Sequence, residues 1–175
     1  MKALRNVISV MMFSVLFQAC DQDEIYPDIS PGLNQRYFEA SVSLHTSGGY
    51  PSNPVMSISS LNLRLSGEGK SNILSDFILE SSHVQFYDND VSSYTIKEGE
   101  FLMAAASGET LFGEYDGFGS IENDQLSIYE NYRIQGGSGR FQNATGNLSV
   151  QSNQLPDCNT RYAIISGTIN LAALE

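Results

Sequence analysis

Hydrophobic and polar positions alternate along most of this chain, and the alternation has the two-residue period of strands. Phe38, Ala40, Val42 and Leu44 are interleaved with Tyr37, Glu39, Ser41 and Ser43. Leu61, Leu63 and Leu65 then alternate with Asn62, Arg64 and Ser66, a second strand expected to stop at Gly67-Glu68-Gly69. Ile73–Tyr87 reads as a long third strand, broken by a bulge or bend at Glu80–His83. Tyr94–Ala106 is the fourth. Its run Phe101-Leu102-Met103-Ala104-Ala105 is apolar without alternation, which predicts a strand covered on both faces, by a loop, the C-terminal tail or another subunit. Thr110–Phe118, Gln125–Gln135, Asn147–Gln151 and Arg161–Leu171 follow, with Ser107-Gly108 as a hairpin turn and Gly167 as a bend. The fold begins near Arg36. After the N-terminal segment no helical period runs for ten residues, and turns recur every eight to fifteen. That spacing predicts an all-β antiparallel barrel or sandwich. Closure into a barrel would remove the exposed strand edges.

The stretch Tyr132–Val150 organises the rest. Gly136, Gly137 and Gly139 fall within four positions, a bend expected to need positive φ at Gly137. Arg140 and Phe141 follow at once, and Asn143-Ala144-Thr145-Gly146 reads as one short turn closed by glycine. Two readings stand. Phe141 plugs one barrel end while Arg140 donates to nearby carbonyls, or successive N–H groups form an anion nest.

The N-terminus changes where such a barrel is expected to live. Lys2 and Arg5 precede an apolar run of eleven residues, Val7–Phe17, too short to span a bilayer and suited to a signal peptide. Leu16-Phe17-Gln18-Ala19-Cys20 resembles a bacterial lipobox, departing from it at Phe17 and Gln18. The resemblance implies cleavage of residues 1–19 and lipidation of Cys20, with the barrel domain, residues 36–175, on an acidic tether, residues 20–35. Multiple acyl chains hold firmly, since each buried CH₂ contributes ~0.8 kcal/mol. Asp21, Gln22, Asp23 and Glu24 resemble the acidic export signal of Bacteroidetes lipoproteins, which implies outer-membrane anchoring and display on the cell surface.

Charge agrees with a head held off a negative membrane. Nine basic residues less Lys2 and Arg5 leave seven against twenty acidic ones, so the mature chain stands near −13. That disfavours nucleic acid and anionic lipid surfaces as partners. With Cys20 lipidated, Cys158 has no partner for a disulfide, and its surroundings predict an inert thiol.

Three segments in order carry a resemblance to a known family: Gly99–Leu111, Gly136–Gly146 with its Gly-Gly-Ser-Gly-Arg-Phe turn, and Ser166–Ile169. They resemble the allene-oxide-cyclase-like barrel superfamily, nearest its bacterial members, with plant dirigent proteins as a distant branch. The resemblance implies a calycin-like, eight-stranded antiparallel barrel with a largely apolar cavity, often trimeric. A homotrimer would account for the doubly apolar fourth strand. Some relatives cyclise or steer reactive small molecules, but their functional positions do not map onto this chain residue by residue.

Candidate chemistry is sparse. Glu114 and Asp116 share one face of the fifth strand, with Tyr115 on the other. An inward acidic face would make a carboxylate pair, an outward one a solvated surface, and an apolar lumen is better served by Leu111 and Tyr115. Arg64 and Arg133 are strand-borne and could anchor an acidic ligand. His45 and His83 have no partners at metal-ligand spacing, and Asp88-Asn89-Asp90 lacks the remainder of a calcium loop. Gly69-Lys70-Ser71 fails as a phosphate loop because Arg64 stands where its first glycine belongs. No cofactor is expected. The sequence therefore predicts a surface lipoprotein whose barrel binds an apolar small molecule or a partner protein. The alternative is a barrel enzyme or dirigent-like guide acting on a reactive small molecule.

Overall fold

A computed structural model describes residues 34–46, 60–87, 92–122, 125–154 and 160–172. The proposed signal peptide, Cys20, the Asp21–Glu24 run, Asp88–Asp90 and Cys158 lie outside the described residues. So does the Gly/Pro-rich segment after Thr46.

The strands are β1 (Asn34–Thr46), β2 (Ser60–Ser71), β3 (Ser75–Tyr87), β4 (Ser93–Ala105), β5 (Thr110–Glu122), β6 (Gln125–Gly137), β7 (Thr145–Gln154) and β8 (Thr160–Leu171). They close in sequence order into an eight-stranded antiparallel barrel, with β1 against β8 as the seam. The expected alternation sets the wall. Phe38, Ala40, Val42 and Leu44 of β1, and Leu148 and Val150 of β7, point inward and are buried. The outer positions of β7 are Asn147, Ser149, Gln151 and Asn153, all exposed. β7 thus presents a polar outer face and an apolar inner one.

Three expectations change. First, β2 does not stop at its glycines. A Cβ on Gly67 would run into the Ser43 carbonyl, so this glycine lets β1 pass close and the strand continues. Second, within this chain the described residues do not cover the outer face of β4. Phe101, Met103 and Ala105 are inward, while Leu102 faces out and is 38% exposed. Third, the irregularity expected in β3 belongs to its neighbour. Ser82 to Val84 spans two steps on β3, opposite three steps from Glu100 to Lys97, and β5 sees the same surplus. The extra residue is a bulge in β4 with Glu98 at φ 55.

The two barrel ends differ. Where the β2–β3, β4–β5 and β6–β7 connections meet, a single 3₁₀ turn, Gly139–Phe141, puts Phe141 fully inside the core. Arg140 donates through Nη2 to the Ile73 carbonyl at 2.6 Å, and its Nε lies 3.2 Å from Glu109 Oε2. Positive φ falls on Gly139 (φ 61) and not on Gly137. Gly137 is needed because a Cβ there would strike the Thr110 carbonyl and the Phe141 side chain. The plug reading describes this end. The anion nest is filled from within, since Glu109 Oε1 accepts from the Arg140 backbone N–H at 3.2 Å.

Candidate functional site

The lumen is divided near mid-length of its strands by a column of rings. Phe101 stacks on Tyr132 at 4.5 Å between centroids, Tyr132 on Tyr115 at 4.6 Å, and Tyr115 meets His83 edge-on at 5.6 Å. Toward the plug the inward residues are apolar: Phe77, Leu79, Met103, Leu111, Ile134 and Phe141. Toward the other end polar groups enter the lumen. His83, Gln85, Glu130, Ser152, Gln154 and Arg161 are all buried.

Each polar residue occupies an inward position in an otherwise apolar phase. On β3 the inward series runs Phe77, Leu79, Ser81, His83, Gln85; on β6 it runs Ile134, Tyr132, Glu130, Ile128. Glycine makes the space. Gly119 faces the Tyr94 ring and Gly117 lies against Glu130, and a Cβ at either would collide with its neighbour.

Electrostatics in this half are closed on themselves. Arg161 Nη2 donates to both oxygens of Glu130, at 3.0 and 3.3 Å, and both side chains are almost wholly buried. Burial alone would lower the Arg161 guanidinium, but Glu130 and the surrounding phenols outweigh it and hold it above its usual value. His83 is pushed down to about 3, by burial first and by the Arg161 charge second, so its ring is neutral at physiological pH. Burial, reinforced by Glu130, pushes both Tyr115 and Tyr132 up, so both remain phenols.

Hydrogen bonding, by contrast, is incomplete. His83 Nδ1 and the Tyr115 hydroxyl are 2.6 Å apart. Whichever of the two donates, Nε2 takes the complementary role, and it has no partner in the protein. The Tyr132 hydroxyl, Ser152 Oγ and Arg161 Nε are likewise buried without a protein partner. Ser81 Oγ is close enough to both phenols to oppose their upward shifts, yet it reaches hydrogen-bond geometry with neither.

The residues singled out from the sequence are divided by the barrel wall. Tyr115 is inside, 4% exposed. Glu114, Asp116 and Arg133 are on the outer face and line a shallow groove of about 600 Å³ with Lys97, Glu100 and Asn131. The carboxylate pair thus has its outward, solvated arrangement and does not face the lumen. Arg64 is also outside. His45 is exposed and paired with the Thr160 hydroxyl at 2.9 Å. Among the described residues no cluster of three His, Cys, Asp or Glu could hold a metal ion. His83, Glu130, Ser152 and Arg161 were missed as a group. Their signal is a polar residue in the apolar phase of a strand.

No protein-family model matches the chain, and a search of curated proteins returns no relative. What stands is the class that the geometry defines: a closed, eight-stranded antiparallel barrel, plugged at one end and polar inside toward the other.

Proposed function

We propose that this chain is a lipid-anchored bacterial protein displayed at the cell surface, and that its barrel holds a small molecule in the half away from the plug. One observation carries the binding reading. Five polar atoms from four strands are buried in one half of the lumen with no partner in the protein. A buried polar group without a hydrogen bond costs about 1–3 kcal/mol, so this half of the barrel is incomplete without something that hydrogen-bonds there. The buried groups that lack a protein partner are polar, which favours a ligand with polar groups over the wholly apolar one expected from the sequence. The anchor rests on the Lys2-to-Cys20 segment and the acidic residues that follow it. Kinship with the allene-oxide-cyclase-like barrels is part of the same proposal, supported by the closed eight-stranded topology.

Native mass spectrometry of the full mature protein, lifted from its membrane in mild detergent, tests the reading. A non-covalent adduct that leaves on collisional activation is the expected result, and a bare barrel from freshly prepared membranes would sink it. The same spectrum reports whether a homotrimer forms. Cys20→Ala should move the protein out of the membrane fraction; retention there would remove the anchor.

A second reading, a partner protein on the outer wall, is favoured by an apolar groove of about 760 Å³ between Tyr162 and Ile164 of β8 and Ile78 and Ala104 of β3 and β4. Tyr162 is 70% and Ile164 63% exposed, unusually open for large apolar side chains.

A further inference from the structure

We infer that the seat in the polar half of the barrel takes an uncharged small molecule carrying both a hydrogen-bond donor and an acceptor, and rejects carboxylates and amines of the same size. The inference rests on the reading that the lumen holds a ligand, and it names that ligand's class.

In this half of the barrel charge is balanced and hydrogen bonding is not. Among the described residues, Glu130 and Arg161 are the buried groups with formal charge, and they satisfy one another through a single guanidinium nitrogen and both carboxylate oxygens. The pair is neutral as a unit. His83 adds no charge, because its ring stays unprotonated between Tyr115 and the nearby Arg161. A carboxylate entering this space would find its natural partner already taken, and an ammonium would find Glu130 taken. Either would be buried without a counter-charge, which costs far more than burying a neutral polar group.

Hydrogen bonding is the part left open, and the open groups are of mixed kind. Arg161 Nε offers a donor only. The Tyr132, Ser81 and Ser152 hydroxyls can each donate or accept, and His83 Nε2 takes whichever role Nδ1 leaves to it. An apolar guest would leave all of these unanswered. An ion would answer some of them and add an unmatched charge. A neutral guest with one donor and one acceptor answers both kinds at once.

The test uses three molecules with the same ring and a planar head, differing in charge: benzamide, benzoate and benzamidine. Each is titrated into the full mature protein, and binding is followed by calorimetry and by the ring ¹⁵N signals of histidine. The chain has two histidines, and His45 sits on the outer surface, so a shift at His83 places the probe in the lumen. Benzamide is expected to bind about tenfold or more tightly than either ion, in keeping with the cost of an unpaired buried charge, and to move the His83 Nε2 signal. Benzoate or benzamidine binding as well as benzamide would overturn the neutrality inference and leave the ligand reading standing. Failure of all three to move His83 would overturn the inference. If the native spectrum also lacks an adduct, the ligand reading falls with it. Glu130→Gln frees the Arg161 guanidinium and should turn the preference toward benzoate. Should that variant not fold, the ranking of the three probes on the unaltered protein decides alone.

Discussion

The two ends of this barrel are built from the same strands by the same alternation, and they treat polar groups in opposite ways. At the plugged end the charged groups of the closing turn are answered by the chain. The Glu109 carboxylate takes the Arg140 Nε, the Arg140 backbone N–H and the Ser107 hydroxyl, and the Ile73 carbonyl accepts from Arg140 Nη2. At the other end the charges are answered, but five hydrogen-bonding atoms are not. The first end is finished as a piece of protein. The second keeps hydrogen-bonding groups that the protein itself does not answer. On the proposed reading, stability and ligand binding are separated along the barrel axis, and perturbing each end should give different signatures.

The largest effect is expected from acid. A neutral, buried His83 with a folded value of about 3, against 6.5 when unfolded, means that the unfolded chain takes up the proton first as the pH falls. This contribution is complete above pH 6.5, is lost progressively down to about pH 3 and amounts to at most about 5 kcal/mol. Urea melts at pH 7 and pH 4 should show a much flatter acid limb for His83→Gln than for the parent. Equal slopes would mean that the ring is protonated in place and the polar half is wetter than described. Next in size is the buried ion pair. Arg161→Met strands Glu130 and should cost about 3–5 kcal/mol, whereas Arg161→Met with Glu130→Leu should recover most of it. A single variant as stable as the double would break the claim that the pair exists to neutralise itself.

The contrast between the ends is sharpest in two truncations. Phe141→Ala opens a cavity beneath the plug and should cost about 3–5 kcal/mol by denaturant unfolding. Ser152→Ala removes a buried hydroxyl that has no protein partner, so without ligand it should leave stability unchanged or raise it, by up to about 1–3 kcal/mol. If Ser152→Ala were as damaging as Phe141→Ala, both ends would be structural and the distinction would vanish. The smallest effect is expected outside the wall. Glu114→Gln with Asp116→Asn alters a solvated groove, and the melting curve should shift by no more than about 0.5 kcal/mol.

Strand positions and barrel closure were legible in the sequence because a half-buried strand writes its two faces as alternation, and β1 does so over eight consecutive residues. The turn Gly136–Gly146 was legible as a plug because glycine density and one buried aromatic are local signals. Two things were not legible. Glycines inside β2 and β8 read as a stop and a bend, whereas they are places where a neighbouring carbonyl or ring comes too close for a Cβ; that depends on the partner strand, which local sequence does not contain. The polar lumen was overlooked because Glu130 and Arg161 are 31 residues apart and each alone looks like a surface charge. Only their phase, in step with Ile128 and Ile134 on one strand and with Ala163 and Ile165 on the other, sets them inside. In an alternating strand the informative residue is the one that breaks the pattern on the apolar side.

The seam has a consequence for the order in which the chain can fold. β1 shares seven register pairs with β2, its neighbour in sequence, and twelve with β8, which ends the barrel. The other six hairpins are local and can form as they appear. The first strand, however, makes most of its backbone bonds with the last, and closing that gap is the slowest kind of contact to make. The barrel therefore cannot close until residues 160–171 are delivered. A chain handed across a membrane from its N-terminus would stay open, and threadable, until its final strand arrives.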